Sequence, residues 1–482
     1  MKTVFRILTI SISISVAGLS AAGETEDELI DKVVAAYGGD ALINLSSFSI
    51  DKKFLSPTLG QSHTPDLEEI NLNVQYLVVD IESGSARYET LFDNRGGVFQ
   101  NATITDGETA TTINYQAGTY GSAAQADVYA LGGGPMRTSD PILAYELNKA
   151  RDTAEHMGEA SYMNRTHELI SMPFPSSPDL TLWVDQETGL ISKMTRMNPQ
   201  FGQLDYVFKD RTEDNGIPYA ISTNFFIAGK PNLITVRNEN TFNRSFPDSL
   251  FEVPDGLSEE GERIDTSEMN ATELSDNVYH VGQGGTFSIF INSPAGLIAA
   301  GGSAGFAQRL DHYRNETGNY QPLSYQVVTH HHSDHVAGLA DAVAAGATLV
   351  TVDSNVETIR RDGGVPDAEF LLASGRLTLG QGDGRVELYE VSTTHAARFL
   401  VTYVPEEKLI FMADHFNSPY VTGTPTANIN TVTMWEALEA LDLDFDRIAV
   451  SHGARIFSRN DMRDSVADFE PVGCMADRPV CQ

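Results

Sequence analysis

The apolar positions of this chain change their spacing along its length. Near the start, Leu29, Ile30, Val33, Val34 and Tyr37 fall at helical intervals, which predicts a helix stopped by Gly38-Gly39. Beyond it the period shortens to two: Leu72, Val74, Tyr76 and Val78 alternate with polar residues. Leu180 to Val184 and Leu190 to Met194 read as a hairpin turning through Asp185-Gln186-Glu187-Thr188-Gly189. Long antiparallel meanders of this kind predict a mainly β half-barrel domain over residues 24–256. Phe251 to Leu257 closes that region, and the charged stretch that follows predicts a linker at 257–271.

From residue 272 to 482 the pattern is mixed. Val278-Tyr279-His280-Val281 and Phe287 to Ile291 read as strands, Leu339 to Ala345 as a helix stopped by Gly346, and Thr348 to Val352 as the next strand. Met434 to Leu441 reads as a further helix. The whole is an α+β chain of two domains, too long for one ordinary core.

Chemistry enters at His330-His331-His332-Ser333-Asp334-His335, which follows the apolar run Tyr325 to Thr329. A strand running into a loop can aim residues two apart at one point, so His330 and His332 can grip one ion while Asp334 and His335 turn toward a second. Imidazole and carboxylate suit zinc or a similar first-row metal. A solvated histidine run is the bland alternative, and context argues against it. Three further ligand-type residues each stand just past a strand: His395 after Val386 to Val391, Asp414 after Leu409 to Ala413, and His452 after Arg447 to Ser451. Loops anchored on a rigid sheet hold such groups accurately.

These residues resemble the metallo-β-lactamase superfamily. The H-x-H-x-D-H spacing of 330–335 carries the resemblance, with His395, Asp414 and His452 as the later members, and it extends over residues 272–470. It implies an αββα sandwich in which His330, His332 and His395 hold one metal, Asp334, His335 and His452 the other, and Asp414 bridges them. It also implies two divalent ions, zinc by ligand type, a hydroxide drawn from water they share, and attack on the carbonyl of an ester, lactone, thioester or amide. Asp334, besides ligating, would orient the hydroxide. His331 and His415 are the nearest side chains for protonating a leaving group, or else ordinary hydrogen-bonding histidines. The chain departs from the pattern at one place: Gly296 to Gly302 lacks the Asp-x-Gly turn that members commonly carry, which leaves the subfamily open.

Side-chain nucleophiles fit less well. Cys474 and Cys481 lie in the extreme tail, no G-x-S-x-G elbow occurs, and Gly284-Gly285 and Gly363-Gly364 match no phosphate-binding fingerprint. In the first domain, the hairpin and leading helix resemble the fold of periplasmic lipoprotein-localisation factors, so an apolar ligand there and a merely packed interior both stay open. Trp183, Phe225 and Phe226 read as core, and His63, His156 and His167 as scattered histidines without matched acids.

Lys2 and Arg6 precede the apolar stretch Ile7 to Leu19, and Ser20-Ala21-Ala22 offers a cleavage site, so residues 1–22 read as a secretory signal for a periplasmic or secreted protein with no integral membrane span. A disulfide between Cys474 and Cys481 suits that compartment. With 32 Lys plus Arg against 66 Asp plus Glu the formal net charge is −34, which disfavours nucleic acid and favours a small-molecule substrate. Two other readings are β-lactam hydrolysis, for which Arg360, Arg361, Arg398 and Arg455 are the available carboxylate anchors, and a non-catalytic exported binding protein with a structural metal site. Seven proposed ligands speak against the latter, because a structural site needs four. Oligomeric state is not legible.

Overall fold

The computed structural model describes residues 25–471 apart from 59, 66, 95, 96, 200, 295 and 383. The proposed leader and Cys474 with Cys481 lie outside the described residues.

The first half opens with the helix Glu26–Ala36, where Thr25 Oγ1 accepts from Glu28 N at 3.3 Å and Glu28 Oε2 accepts from Thr25 N at 2.9 Å. Such a reciprocal cap contributes about 1 kcal/mol. Leu29, Ile30, Val33 and Val34 are its buried stripe. They pack with Ile142, Leu143 and Leu147 of the helix Asp140–Lys149 against Leu182, Val184, Met194, Tyr206 and Phe208 of the sheet.

That sheet is one open array of 14 strands. Its spatial order runs Ser258–Glu259, Thr119–Ser122, Ala110–Asn114, Gly97–Thr105, Ser85–Asn94, Ile70–Asp80, Ser47–Pro57, Lys230–Phe242, Ile217–Ile227, Gly202–Asp214, Ile191–Asn198, Leu180–Asp185, Arg165–Met172, Glu155–Tyr162. Every neighbour pair is antiparallel except the first, where Ser258–Glu259 carries the sheet's edge into the stretch read from sequence as a linker. The 180s hairpin forms as expected, with Leu182 opposite Met194. Two details differ from the sequence reading. Leu72 is exposed at the outer end of its strand, and Trp183 is half-buried on the outer face, with the Lys193 ammonium 4.1 Å from its ring centre.

The second half is layered. A seven-stranded sheet runs Asn270–Ser275, Val278–Gln283, Thr286–Ser293, Gly296–Ala300, Leu323–Val327, Thr348–Thr351, Phe370–Leu372, antiparallel up to Gly296–Ala300 and parallel after it. A six-stranded sheet runs Arg376–Leu379, Val386–Val391, Phe399–Val404, Leu409–Phe411, Arg447–Ala449, Phe457–Ser458. Ile289, Ile291, Ile298, Val327 and Val350 of the first interleave with Leu388, Leu400, Leu409 and Phe411 of the second. The outer faces are covered too. Phe306, Leu310 and Tyr313 of the helix Phe306–Thr317 cover Phe290, Leu297 and Ala299. Met434 and Leu438 of the helix Ile429–Leu441, with Met462 of Arg459–Ala467, cover Val401 and Ile410. Helix, sheet, sheet, helix is the result, and burying each large side chain contributes about 1.5–3 kcal/mol. Among the described residues no helix is long and apolar enough to cross a membrane.

Candidate metal centre

The centre forms where the two sheets meet along one edge. Tyr325 to Val327 is strand, Val328 N donates to Val350 O at 2.9 Å, and the chain then runs extended through His330 to His332. Leu400 N donates to Thr329 O at 2.8 Å and ties the second sheet to this loop. A short helix, Ser333–Val336, swings Asp334 and His335 round. It docks on the first sheet because Gly302 has no side chain: a Cβ there would stand 2.8 Å from His335 O and 2.6 Å from Leu339 Cδ2. Where an Asp-x-Gly turn was missed in the sequence, the structure thus has backbone packed against the underside of the histidine loop.

All seven residues proposed from sequence converge, in two sets that share one member. His330, His332, His395 and Asp414 offer atoms all within 4.8 Å of one another, and so do Asp334, His335, Asp414 and His452. Asp414 Oδ2 lies 3.1 Å from His330 Nε2 and 2.9 Å from His395 Nε2, and Oδ1 lies 2.8 Å from both His335 Nε2 and His452 Nε2. Asp334 Oδ2 is 3.2 Å from His335 Nε2 and 3.3 Å from His452 Nε2. One carboxylate therefore faces two imidazoles with each of its oxygens. These approaches lack hydrogen-bond alignment, and both Asp414 oxygens are buried without a hydrogen-bond partner.

Outer contacts set the rings. His330 Nδ1 meets Thr329 Oγ1 at 3.1 Å, His332 Nε2 meets Ser62 O at 3.0 Å, and His452 Nδ1 meets Gly285 O at 3.2 Å. A carbonyl can only accept, so Nε2 of His332 and Nδ1 of His452 each carry a proton, and Nδ1 and Nε2 respectively are the nitrogens left to face inward. The Nδ1 of His332 is buried and without a hydrogen-bond partner. A donor set of inward ring nitrogens and carboxylate oxygens, with three of the rings anchored from behind, fits divalent cations.

Electrostatics divide the two sets. Burial holds the His330 imidazole down to about 3 and His332 well below its ordinary value, so both are neutral. Burial also pulls His335 down, but the Asp414 and Asp334 carboxylates outweigh it and raise that ring to about 9. The Asp334 and Asp414 carboxylates close beside its Nε2 raise His452 to about 10. The second set is also the more open one: its Asp334 and His452 side chains are 44% and 31% exposed, whereas in the first set His330 is fully buried and His395 only 14% exposed.

Some expectations need revising. His331 and His415 are both buried, and His415 Nε2 contacts Thr393 Oγ1 at 2.9 Å beneath the His395 loop, so His415 braces that loop and does not face the opening. His156 is not without an acid, since Glu168 Oε2 stands 2.7 Å from its Nε2, and His167 Nε2 lies 3.9 Å from Asp185. His63 belongs to the centre: its Nε2 donates to Thr393 O at 2.9 Å. No sequence signal marked that role, because residue 63 lies in the other half of the chain. Of the arginines, Arg398 is paired with Glu390 and Asp353, and Arg455 donates to Gly423 O at 2.8 Å.

No family model matches the sequence, and no curated protein does. Solved structures resemble 42% of the chain. A metallo-β-lactamase from Pontibacter korlensis is 16% identical, with 42% of this chain and 98% of that one covered and a TM-score of 0.34. One from Hirschia baltica is 16% identical over 41% of this chain and 96% of that one, at 0.34. The flavodiiron protein from Giardia intestinalis is 19% identical over 42% of this chain and 58% of that one, at 0.32.

Proposed function

We propose that the chain is a dinuclear metal-dependent hydrolase that adds water to the carbonyl of an ester, lactone, thioester or amide. The observation that carries this is the pair of buried Asp414 oxygens, each confronted by two imidazoles and hydrogen-bonded to neither. His330, His332 and His395 would hold one divalent ion, Asp334, His335 and His452 the other, with Asp414 between them. Imidazole and carboxylate suit zinc. Two such ions polarise a carbonyl oxygen and acidify water.

The residues supply the rest. Asp334 keeps its carboxylate ionised, because the His335 and His452 imidazoles beside it outweigh the cost of its partial burial. Its exposed side chain can accept a water hydrogen bond at the mouth. The substrate enters beside Asp334 and His452, since the His330 side is closed. A carboxylate-bearing β-lactam is the weaker alternative, because Arg398 and Arg455 are already engaged. The leader-like residues 1–22 support export to the periplasm or beyond, with a disulfide joining Cys474 to Cys481.

The test is metal analysis of purified protein together with a panel of lactones, thioesters, aryl esters, phosphodiesters and a chromogenic β-lactam. The expected result is two metals per chain and turnover of a carbonyl substrate that a chelator abolishes. Protein that stays metal-free in added zinc, or hydrolysis indifferent to chelation, would overturn the proposal.

A further inference from the structure

The N-terminal sheet sends one segment into the metal centre. Between the strands Ser47–Pro57 and Ile70–Asp80 the chain crosses to the other half, and four consecutive residues touch the ligand loops. Gly60 O accepts from Ser333 N at 2.9 Å. Gln61 Nε2 donates to Asp334 Oδ1 at 2.8 Å and to Ser333 Oγ at 3.3 Å. Ser62 O meets His332 Nε2 at 3.0 Å. His63 grips the His395 loop from both sides: its Nε2 donates to Thr393 O at 2.9 Å and its O accepts from Ala397 N at 2.9 Å.

Two of these contacts end on ligand side chains themselves. Gln61 occupies Asp334 Oδ1 and so turns Oδ2, the oxygen nearest His335 and His452, toward the second set. Ser62 O fixes the proton of His332 on Nε2 and leaves Nδ1 as its lone pair. Such outer contacts set ring and carboxylate orientation and tune metal affinity. The approach is close because position 60 is glycine: its φ is +67°, and a Cβ there would lie 2.9 Å from Ser333 Cβ.

We propose that residues 60–63 are positioning residues of the metal centre, so that the N-terminal half completes the ligand geometry of both ion sites. This rests on the dinuclear reading above. A segment that only glued two halves together would need neither a carbonyl on a ligand's outer nitrogen nor an amide on a ligand carboxylate.

The experiment uses the full chain with Gln61→Ala and Gly60→Val. Affinity for Zn(II) is read by competition with a chromogenic chelator, and ligand geometry by the visible spectrum of the Co(II)-loaded protein. Gln61→Ala is expected to weaken one ion about tenfold to a hundredfold and shift the Co(II) bands, and Gly60→Val, by displacing Ser62 from His332, to weaken the other as well. Circular dichroism reports folding, and if Gly60→Val does not fold, Gln61→Ala decides alone. Wild-type affinity and spectrum in folded Gln61→Ala would overturn the role of the segment while leaving the dinuclear reading intact. A wild-type protein that binds no metal would overturn both.

Discussion

Both halves of this protein bury charge, but they neutralise it differently. In the N-terminal sheet Asp140 accepts from the Tyr37 hydroxyl at 2.7 Å and from Ala220 N at 2.9 Å, and pairs with Arg211. Glu89 accepts from Arg87 at 2.8 Å and from Gln100 at 2.7 Å. These two buried carboxylates find their donors within the chain. Asp414 has four imidazoles around it and no hydrogen bond to any of them. Burying a charge without such partners costs several kcal/mol. A network satisfied from within is structural, whereas one whose lone pairs converge on a common point calls for a cation.

The widest gap between the halves should come from Asp414→Asn. The amide keeps the shape but brings N–H groups against imidazole lone pairs, so metal content should fall from two per chain to one or none. Hydrolysis should drop by roughly 10³-fold or more. Elemental analysis and initial rates read it, and a variant that kept both ions would erase the distinction drawn here. The opposite signature is expected of Asp140→Ala, which leaves the largely buried Arg211 unpaired. Stability should fall by about 3–5 kcal/mol in urea titration while metal content per folded chain is unchanged.

Legibility in the sequence followed the same divide. The ligands were readable because each stands directly after an apolar strand, and because 330–335 holds four in six residues. The helix Glu26–Ala36 and the hairpin at Leu180–Asp185 were readable from local period. Gln61, Ser62 and His63 were not, since their roles arise from contacts 270 to 330 residues away in sequence, which no local pattern encodes. His156 and His167 looked unmatched for the same reason: Glu168 and Asp185 come alongside only through strand pairing. Leu72 was misjudged because alternation marks a face of a strand but not where along it the covering layer ends.

A smaller effect concerns protons. His335 and His452, raised to about 9 and about 10, hold protons at neutral pH in the metal-free protein, and an incoming cation must displace them. Zinc binding at neutral pH should therefore release about two protons per chain, and affinity should fall as pH falls below 9. Titration calorimetry in buffers of different ionisation enthalpy measures the release. Binding with no net proton release would mean that the two carboxylates are not balanced by those rings.

The smallest expected effect lies at Lys52, where the N-terminal half's self-sufficiency is strained. Its ammonium is buried, reaches Thr138 O only at 3.4 Å, and is pushed by burial from 10.5 down to about 7, with Asp140 opposing the shift. Below about pH 7 the lysine is charged in both folded and unfolded chains, and its burial destabilises the fold in full. As pH rises from 7 toward 10.5 the folded form sheds the proton first, so this destabilisation fades. Lys52→Met should therefore be more stable than wild type by about 1–4 kcal/mol at neutral pH, with the advantage shrinking toward about pH 10. Urea midpoints at the two pH values decide it. A Met variant less stable than wild type, with no pH dependence in the difference, would mean that the ammonium is as well satisfied as Asp140 and Glu89.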